Sequence, residues 1–269
     1  MILKHEIPEG SKLYFGKKAK IKREIEQIAS EVFDVFEYEE IITPYFSYHQ
    51  LEALDEKEVI RFTDLKNQTL ALRGDSSIDV IRLVLKRLKS EAKKWFYIQP
   101  VFRAPSTEIY QIGAEWLEGE LIEVINLNLA ILKRLNKNYP LVISNNKIPK
   151  IVCELTSLTL EDIEKMRIYK FKEDWLKDLI NLNEINTKKY PKELHHPLEE
   201  MKKLVEKIDY SNIILSPLSV AHLKYYDGIF YKFINKNDLI SKGGEYEVEG
   251  VRSVGFSIYT DNLIKDLDG

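Results

Sequence analysis

The sequence predicts an α+β fold: a mostly antiparallel sheet flanked by helices, with one helical insertion. Three observations carry that prediction. Apolar residues recur at steps of three and four in some segments and alternate in others. The strand-like runs come as neighbouring pairs with short, turn-rich connectors, which suits hairpins better than parallel crossovers. Residues 159–208 then change texture, to Lys, Glu and Leu at helical spacing.

Taken in order, residues 18–36 predict an amphipathic helix, with Ile21, Ile25, Ile28, Val32 and Val35 on one face. Residues 40–44 read as a short strand stopped by Pro44, because proline removes a ladder donor. Residues 69–73 read as a strand entering the turn Gly74-Asp75-Ser76. Ser77 follows as the cap of a second helix whose Ile78, Ile81, Leu85 and Leu88 face inward. Residues 95–103 and 109–116, with the connector 104–108, read as an antiparallel hairpin. A helix over 120–135 and a strand at 141–143 come next. Within 159–208, Thr159 and Asp162 have the spacing of a capping box. Three helical stretches follow, separated by residues 181–186 and by the Tyr190-Pro191 and His196-Pro197 breaks. About 50 residues bury too little to stand alone, so the segment reads as an insertion in a single domain spanning 1–269. Residues 212–215 and 223–234 return to strand character, with Asp227-Gly228 as a hairpin turn. Lys242-Gly243-Gly244 reads as a further turn, 250–258 as the last strand and 260–267 as a closing helix.

Composition excludes several function classes. The 40 Lys+Arg against 43 Asp+Glu leave a net charge of −3, without the basic surplus of a dedicated nucleic-acid binder. No run approaches the ~18 apolar residues of a membrane span, and MILKHEIPEG has no signal-peptide pattern. A cytoplasmic location without membrane contact is therefore expected. One cysteine excludes an internal disulfide framework and a cysteine-rich metal site, and Cys153 reads as a small buried hydrophobe. His195-His196 reads as an exposed pair between helices with no third ligand at metal spacing, so no metal is expected. Phosphate-cradling glycine loops and nucleophile elbows are missing, and no cofactor is expected.

Four segments rise above this background: residues 70–77 (LALRGDSS), 102–119 (FRAPSTEIYQIGAEWLEG), 223–233 (LKYYDGIFYKF) and 243–262 (GGEYEVEGVRSVGFSIYTDN). Through these the chain resembles the catalytic core of histidyl-tRNA synthetase, a class II synthetase fold, over roughly its whole length. The resemblance implies that Ile41-Ile42-Thr43-Pro44 is the edge of a symmetric homodimer and that Arg103 is a relict phosphate-binding residue. It implies that Gln111 and Glu115 face an amino acid, that Asp75 and Ser77 stand where the family has Glu and Thr, and that Tyr225 and Tyr226 belong to a histidine-recognition segment. The chemistry agrees. An imidazole needs one donor and one acceptor at fixed separation, which Gln111, Glu115 and the Tyr226 hydroxyl can supply. Asp75 and Ser77 can meet an ammonium. The plainer reading of Gln111 and Glu115 is one face of a strand, four residues apart across Gly113.

The departures from the synthetases define the functional expectation. Ala221, Glu245 and Asn262 stand where a working synthetase carries arginine, His222 and Tyr259 where it carries glycine, and Lys224 where it carries aspartate. The connector 104–108 is far shorter than the synthetase loop over ATP. Losing one oriented charge on a transferring phosphate costs on the order of 3 kcal/mol of barrier, and several are gone. No anticodon-binding domain is expected after residue 262. This combination resembles the regulatory-subunit family of ATP phosphoribosyltransferase, the first enzyme of histidine biosynthesis. That resemblance implies no catalytic residue in this chain, a short catalytic subunit as partner in a hetero-oligomer, histidine as feedback effector and no tRNA. Two alternatives stay open: an active class II ligase that uses Arg103 and a non-tRNA acceptor, and a structural module with an empty pocket.

Overall fold

The computed structural model describes residues 3–48, 50, 54–180, 182, 184–221 and 226–269, with the backbone alone for 226 and 227. Its elements in chain order are α1 (Gly16–Val35), β1 (Glu39–Glu40), β2 (Phe46–Ser47), β3 (Arg61–Thr63), β4 (Thr69–Leu72), α2 (Ser77–Arg82), β5 (Lys94–Arg103) and β6 (Thr107–Leu117). There follow α3 (Leu121–Arg134), β7 (Leu141–Asn145), α4 (Lys147–Leu155), α5 (Leu160–Glu164), α6 (Asp174–Ile180) and α7 (Lys192–Val205). The last are β8 (Ile213–Leu215), β9 (Tyr226–Asn235), β10 (Asp238–Val248), β11 (Val251–Tyr259) and α8 (Thr260–Asp268). Two compact units result: Met1–Leu117 with Ser257–Gly269, and Glu118–Phe256.

The first unit is built on the expected hairpin. β5 and β6 pair antiparallel from Lys94↔Trp116 to Arg103↔Thr107, and β1 adds to β5 in parallel. Only residues 104–106 connect the hairpin strands, fewer than the sequence suggested. Opposed residues share a face. That register puts Tyr97, Gln99 and Arg103 on the same face as Gln111, Gly113 and Glu115. Phe96 and Ala114 take the other face, where Phe33 of α1 stacks on Phe96 with ring centroids 4.5 Å apart. A smaller antiparallel sheet, β2-β4-β3, completes this unit's strands.

Three expectations need correction here. The strand read at 40–44 ends at Glu40, although the Ile41 N–H still reaches Phe96 O at 2.8 Å. Side chains then replace the ladder. The Thr43 N–H donates to Gln99 Oε1 at 3.1 Å, while Arg73 Nη1 donates to Thr43 O at 2.7 Å and to Pro44 O at 3.3 Å. Ser77 opens α2 without capping it; Asp75 Oδ1 accepts the Ile78 N–H at 3.2 Å instead. Past Arg82 the helix widens into a π turn over Leu83–Leu88, ending at left-handed Lys89. The wider turn shifts the spacing, so Val84 is buried while Leu88, expected inward, is 52% exposed.

The second unit orders its strands β11-β10-β9-β7-β8, antiparallel from β10 through β7 and parallel between β7 and β8. Helix α3 packs on one face, where Asn128 Nδ2 donates to Ser241 Oγ at 2.6 Å. The β9–β10 hairpin closes at Asn235↔Asp238, with Lys236 at φ 54°. Asp227-Gly228 is therefore strand, contrary to the turn read there, and so is Lys242-Gly243-Gly244. These glycines answer to close approach. A Cβ on Gly243 would lie 2.5 Å from Gly255 O, and one on Gly228 would lie 2.5 Å from Glu245 Oε2.

The capping box of α5 is formed, with the Asp162 N–H on Thr159 Oγ1 and the Thr159 N–H on Asp162 Oδ2, both at 3.2 Å. His195-His196 lies inside α7 rather than between helices, and Pro197 does not break it. The buried stripe Leu194, Leu198, Met201 and Leu204 carries the helix across the proline. Helix α4, unforeseen in the sequence, buries Ile148, Pro149 and Val152. Cys153, expected to be buried, is only half-buried on it.

Candidate functional site

In the first unit the polar face of the β5–β6 hairpin meets the start of α2. At the centre is Tyr97, fully buried, whose hydroxyl lies 2.8 Å from Ser257 Oγ and donates to Glu115 Oε1 at 3.4 Å. The Ser77 hydroxyl and the Asp75 carboxylate are both close enough to act on its charge. Burial first, then Glu115, hold the phenol well above the ordinary tyrosine range, so it stays a donor at neutral pH. Of the residues expected from the sequence, Asp75, Ser77 and Glu115 are thus brought together. Each is buried, as is Gln111 on the same face opposite Gln99.

The loop before α2 is held by a residue that the sequence did not single out. Gln50 Oε1 accepts the N–H groups of Gly74 at 2.7 Å and Asp75 at 2.8 Å, while its Nε2 donates to Asp79 Oδ2 at 2.7 Å. Burial, then Asp75, raise the Asp79 carboxyl to about 6. Gln99 ties the same loop to the 41–44 segment: its Nε2 donates to Ser76 Oγ and to Thr43 Oγ1, each at 3.1 Å. Arg103 stands at the other end of this face. Its Nη1 is buried without a hydrogen-bond partner among the described residues, and lies 2.9 Å from where a Cβ on Gly74 would be. Tyr97 and Gln99 could have been found from the odd-numbered polar positions of β5, which an antiparallel register sets opposite Gly113 and Gln111. Ser257 had no comparable signal.

The second unit holds the remaining candidates. Tyr225, with the departures His222 and Lys224, lies outside the described residues, and Tyr226 enters only as the first residue of β9, in register with Tyr246. The Ala221 N–H donates to Asn146 Oδ1 at 3.3 Å. Glu245 Oε1 accepts from Arg252 Nη2 at 2.7 Å, so a position where the synthetase resemblance expects a cation is an anion already paired within the sheet. Among the described residues no group of three or more His, Cys, Asp or Glu is arranged to hold a metal, and no helix is long and apolar enough to cross a membrane.

Known proteins resemble this chain along nearly its full length. The family model for histidyl-tRNA synthetase matches residues 15–189. An ATP phosphoribosyltransferase regulatory subunit of Wolinella succinogenes is 40% identical over 279 residues, 99% of this chain and 97% of that one. Another, of Helicobacter hepaticus, is 39% identical over 282 residues, 99% of each. The crystal structure of an ATP phosphoribosyltransferase regulatory subunit/histidyl-tRNA synthetase from Bacillus halodurans matches with a TM-score of 0.86 at 20% identity, covering 100% of this chain and 85% of that one. At that identity the match speaks for the fold: a mostly antiparallel sheet flanked by helices.

Proposed function

This chain belongs to the histidyl-tRNA synthetase family and, within it, to the ATP phosphoribosyltransferase regulatory subunits; from that membership we propose that it binds histidine and reports its presence to a catalytic partner. The observation that carries the reading is the 40% identity spanning 99% of this chain and 97% of its Wolinella relative. Membership makes the chain a non-catalytic subunit in histidine biosynthesis. The chemistry of its retained residues supports the finer reading.

Asp75 and Ser77 would meet the ligand ammonium, while Gln111, Glu115 and the Tyr225-Tyr226 pair would read the imidazole. A buried carboxylate such as Glu115 favours a partner that brings both a proton and a positive charge, which histidine does. Tyr97 would hold Glu115 in place. Arg103 keeps its guanidinium beside Gly74 as a relict anion-binding residue. Without the cations missing at Ala221, Glu245 and Asn262, amino-acid adenylation has lost much of its electrostatic stabilisation. We take the chain to be a cytoplasmic homodimer through the Ile41–Pro44 edge, assembled with a short catalytic chain and independent of tRNA. Regulation then requires that histidine bind two assembly states with different affinity.

Mixing with a short ATP phosphoribosyltransferase catalytic chain tests the proposal. Co-elution and a changed rate are expected. Separate elution with an unchanged rate contradicts it. Histidine-dependent ATP–pyrophosphate exchange by this chain alone would instead favour the ligase alternative.

A further inference from the structure

The second unit contains a cavity of about 330 Å³ that none of the residues above explains. It lies between the insertion, through Ile163, Met166 and Leu179, the turn after β8, through Ser216, Leu218 and Ser219, and Lys232 of β9. Its size is at the lower end of small-molecule sites, which run from roughly 300 to 1,000 Å³. Its lining is mixed: Met166, Ile180 and Val220 present apolar surface beside the polar groups, with Leu179 and Leu218 buried beneath.

Lys232 gives this cavity its chemistry. It occupies a cross-strand row with Val142 of β7 on one side and Lys242 of β10 on the other. Opposed positions on one sheet face normally offset each other, and like charges there are unfavourable. Here the neighbours are one apolar side chain and one like charge. Among the described residues, Lys232 has no hydrogen bond and no ion pair; its ammonium lies over the Phe230 ring, 5.5 Å from the centroid. Burial, then Lys242, pull that ammonium below the ordinary lysine range. Such a group gains from an anion. The second donor is a serine pair: Ser216 Oγ and Ser219 Oγ are 2.8 Å apart. One hydroxyl donates to the other, which leaves the second hydrogen free for a ligand. Glu164 also borders the cavity, but it is solvent-exposed, so water and salt screen its charge.

We propose that this cavity binds a small organic anion, a carboxylate or phosphate group carried on a compact apolar body. The anionic group meets Lys232 and the serine pair, and the apolar body packs against Met166, Ile180 and Val220. The proposal does not depend on the histidine reading.

The test is calorimetric titration of the full chain with benzoate and phenyl phosphate as probes, benzamide as the neutral analogue, and acetate and inorganic phosphate as anions without an apolar body. Benzoate or phenyl phosphate should bind, the tighter one identifying the head group, and benzamide should bind at least about tenfold more weakly. Lys232→Gln should abolish the difference between charged and neutral probes, and Lys232→Arg should keep it. Ser219→Ala should weaken binding by roughly threefold, and it serves as the test if Lys232→Gln fails to fold. Equal binding of benzamide, full affinity in a folded Lys232→Gln, acetate or inorganic phosphate binding as well as the aromatic probes, or no binding of any probe would each overturn the proposal.

Discussion

Replacing Arg73 by methionine probes the joint between the 41–44 segment and the hairpin. The Arg73 side chain is fully buried. Its Nε and Nη2 donate to Pro100 O at 3.0 and 2.6 Å, while Nη1 donates to Thr43 O at 2.7 Å, to Thr43 Oγ1 at 3.1 Å and to Pro44 O at 3.3 Å. Methionine fills a similar volume and donates to none of these. Three carbonyls lose their partner, at about 1–3 kcal/mol each if they stay buried. Against this, the variant no longer buries a cation, which in the wild type costs several kcal/mol before its hydrogen bonds are counted. The two terms leave a net loss of about 3 kcal/mol, a large share of the ~5–15 kcal/mol typical of folded proteins. Urea unfolding followed by tryptophan fluorescence should place the midpoint about 1–2 M lower. Arg73→Lys should fall between, since one ammonium cannot span acceptors on both sides. A loss under about 1 kcal/mol for Arg73→Met would show that the carbonyls find water or other donors, and would refute the reasoning.

Other outcomes follow from the same structure. Glu115→Gln keeps the shape of a buried side chain but removes its charge; histidine affinity by calorimetry should fall by roughly tenfold or more, and unchanged affinity would place the ligand elsewhere. With Asp79 raised to about 6, the folded chain holds a proton there, between about pH 4 and 6, that the unfolded chain has released. The stability this group contributes is present at the low end of that window and falls as pH rises through about 6. Asp79→Asn should therefore shrink the wild-type drop in urea stability between acid and neutral pH by about 1–3 kcal/mol; an unchanged drop would rule Asp79 out as its source. Gly243→Ala puts a methyl group 2.5 Å from the Gly255 carbonyl oxygen, so it should cost about 1–3 kcal/mol or more; a neutral result in thermal unfolding would contradict that close approach.

Elements defined by their own local pattern were legible in the sequence. The β5–β6 hairpin, the α5 capping box and the helix α1 each carry their signal within a few neighbouring residues, although α1 buries Ile25, Ala29, Val32 and Phe33 and leaves Val35, expected on that face, exposed. The misses share a cause, which is that a distant group decided the outcome. Proline suggested the end of the 40–44 strand, but Gln99 and Arg73, both remote in sequence, take its backbone groups. Asp227-Gly228 and Gly243-Gly244 looked like turns because glycine serves tight turns and close approach alike, and only the neighbouring strands distinguish the two. The π turn after α2 moved Leu88 to the surface without any change in periodicity to announce it. At the candidate site the two acids and Ser77 were legible from the resemblance. Tyr97, which joins them, carried a signal in the alternation of β5, but Ser257, which reaches it from the far end of the chain, carried none.

The most direct measurement of the central claim is the phosphoribosyl-transfer rate of a short catalytic chain, alone and mixed with this chain, across a histidine titration. The rate should rise on mixing and fall with histidine, and a mixture with the Glu115→Gln variant should still be activated but need far more histidine to fall. A catalytic rate indifferent to this chain, at every histidine concentration, would contradict that claim.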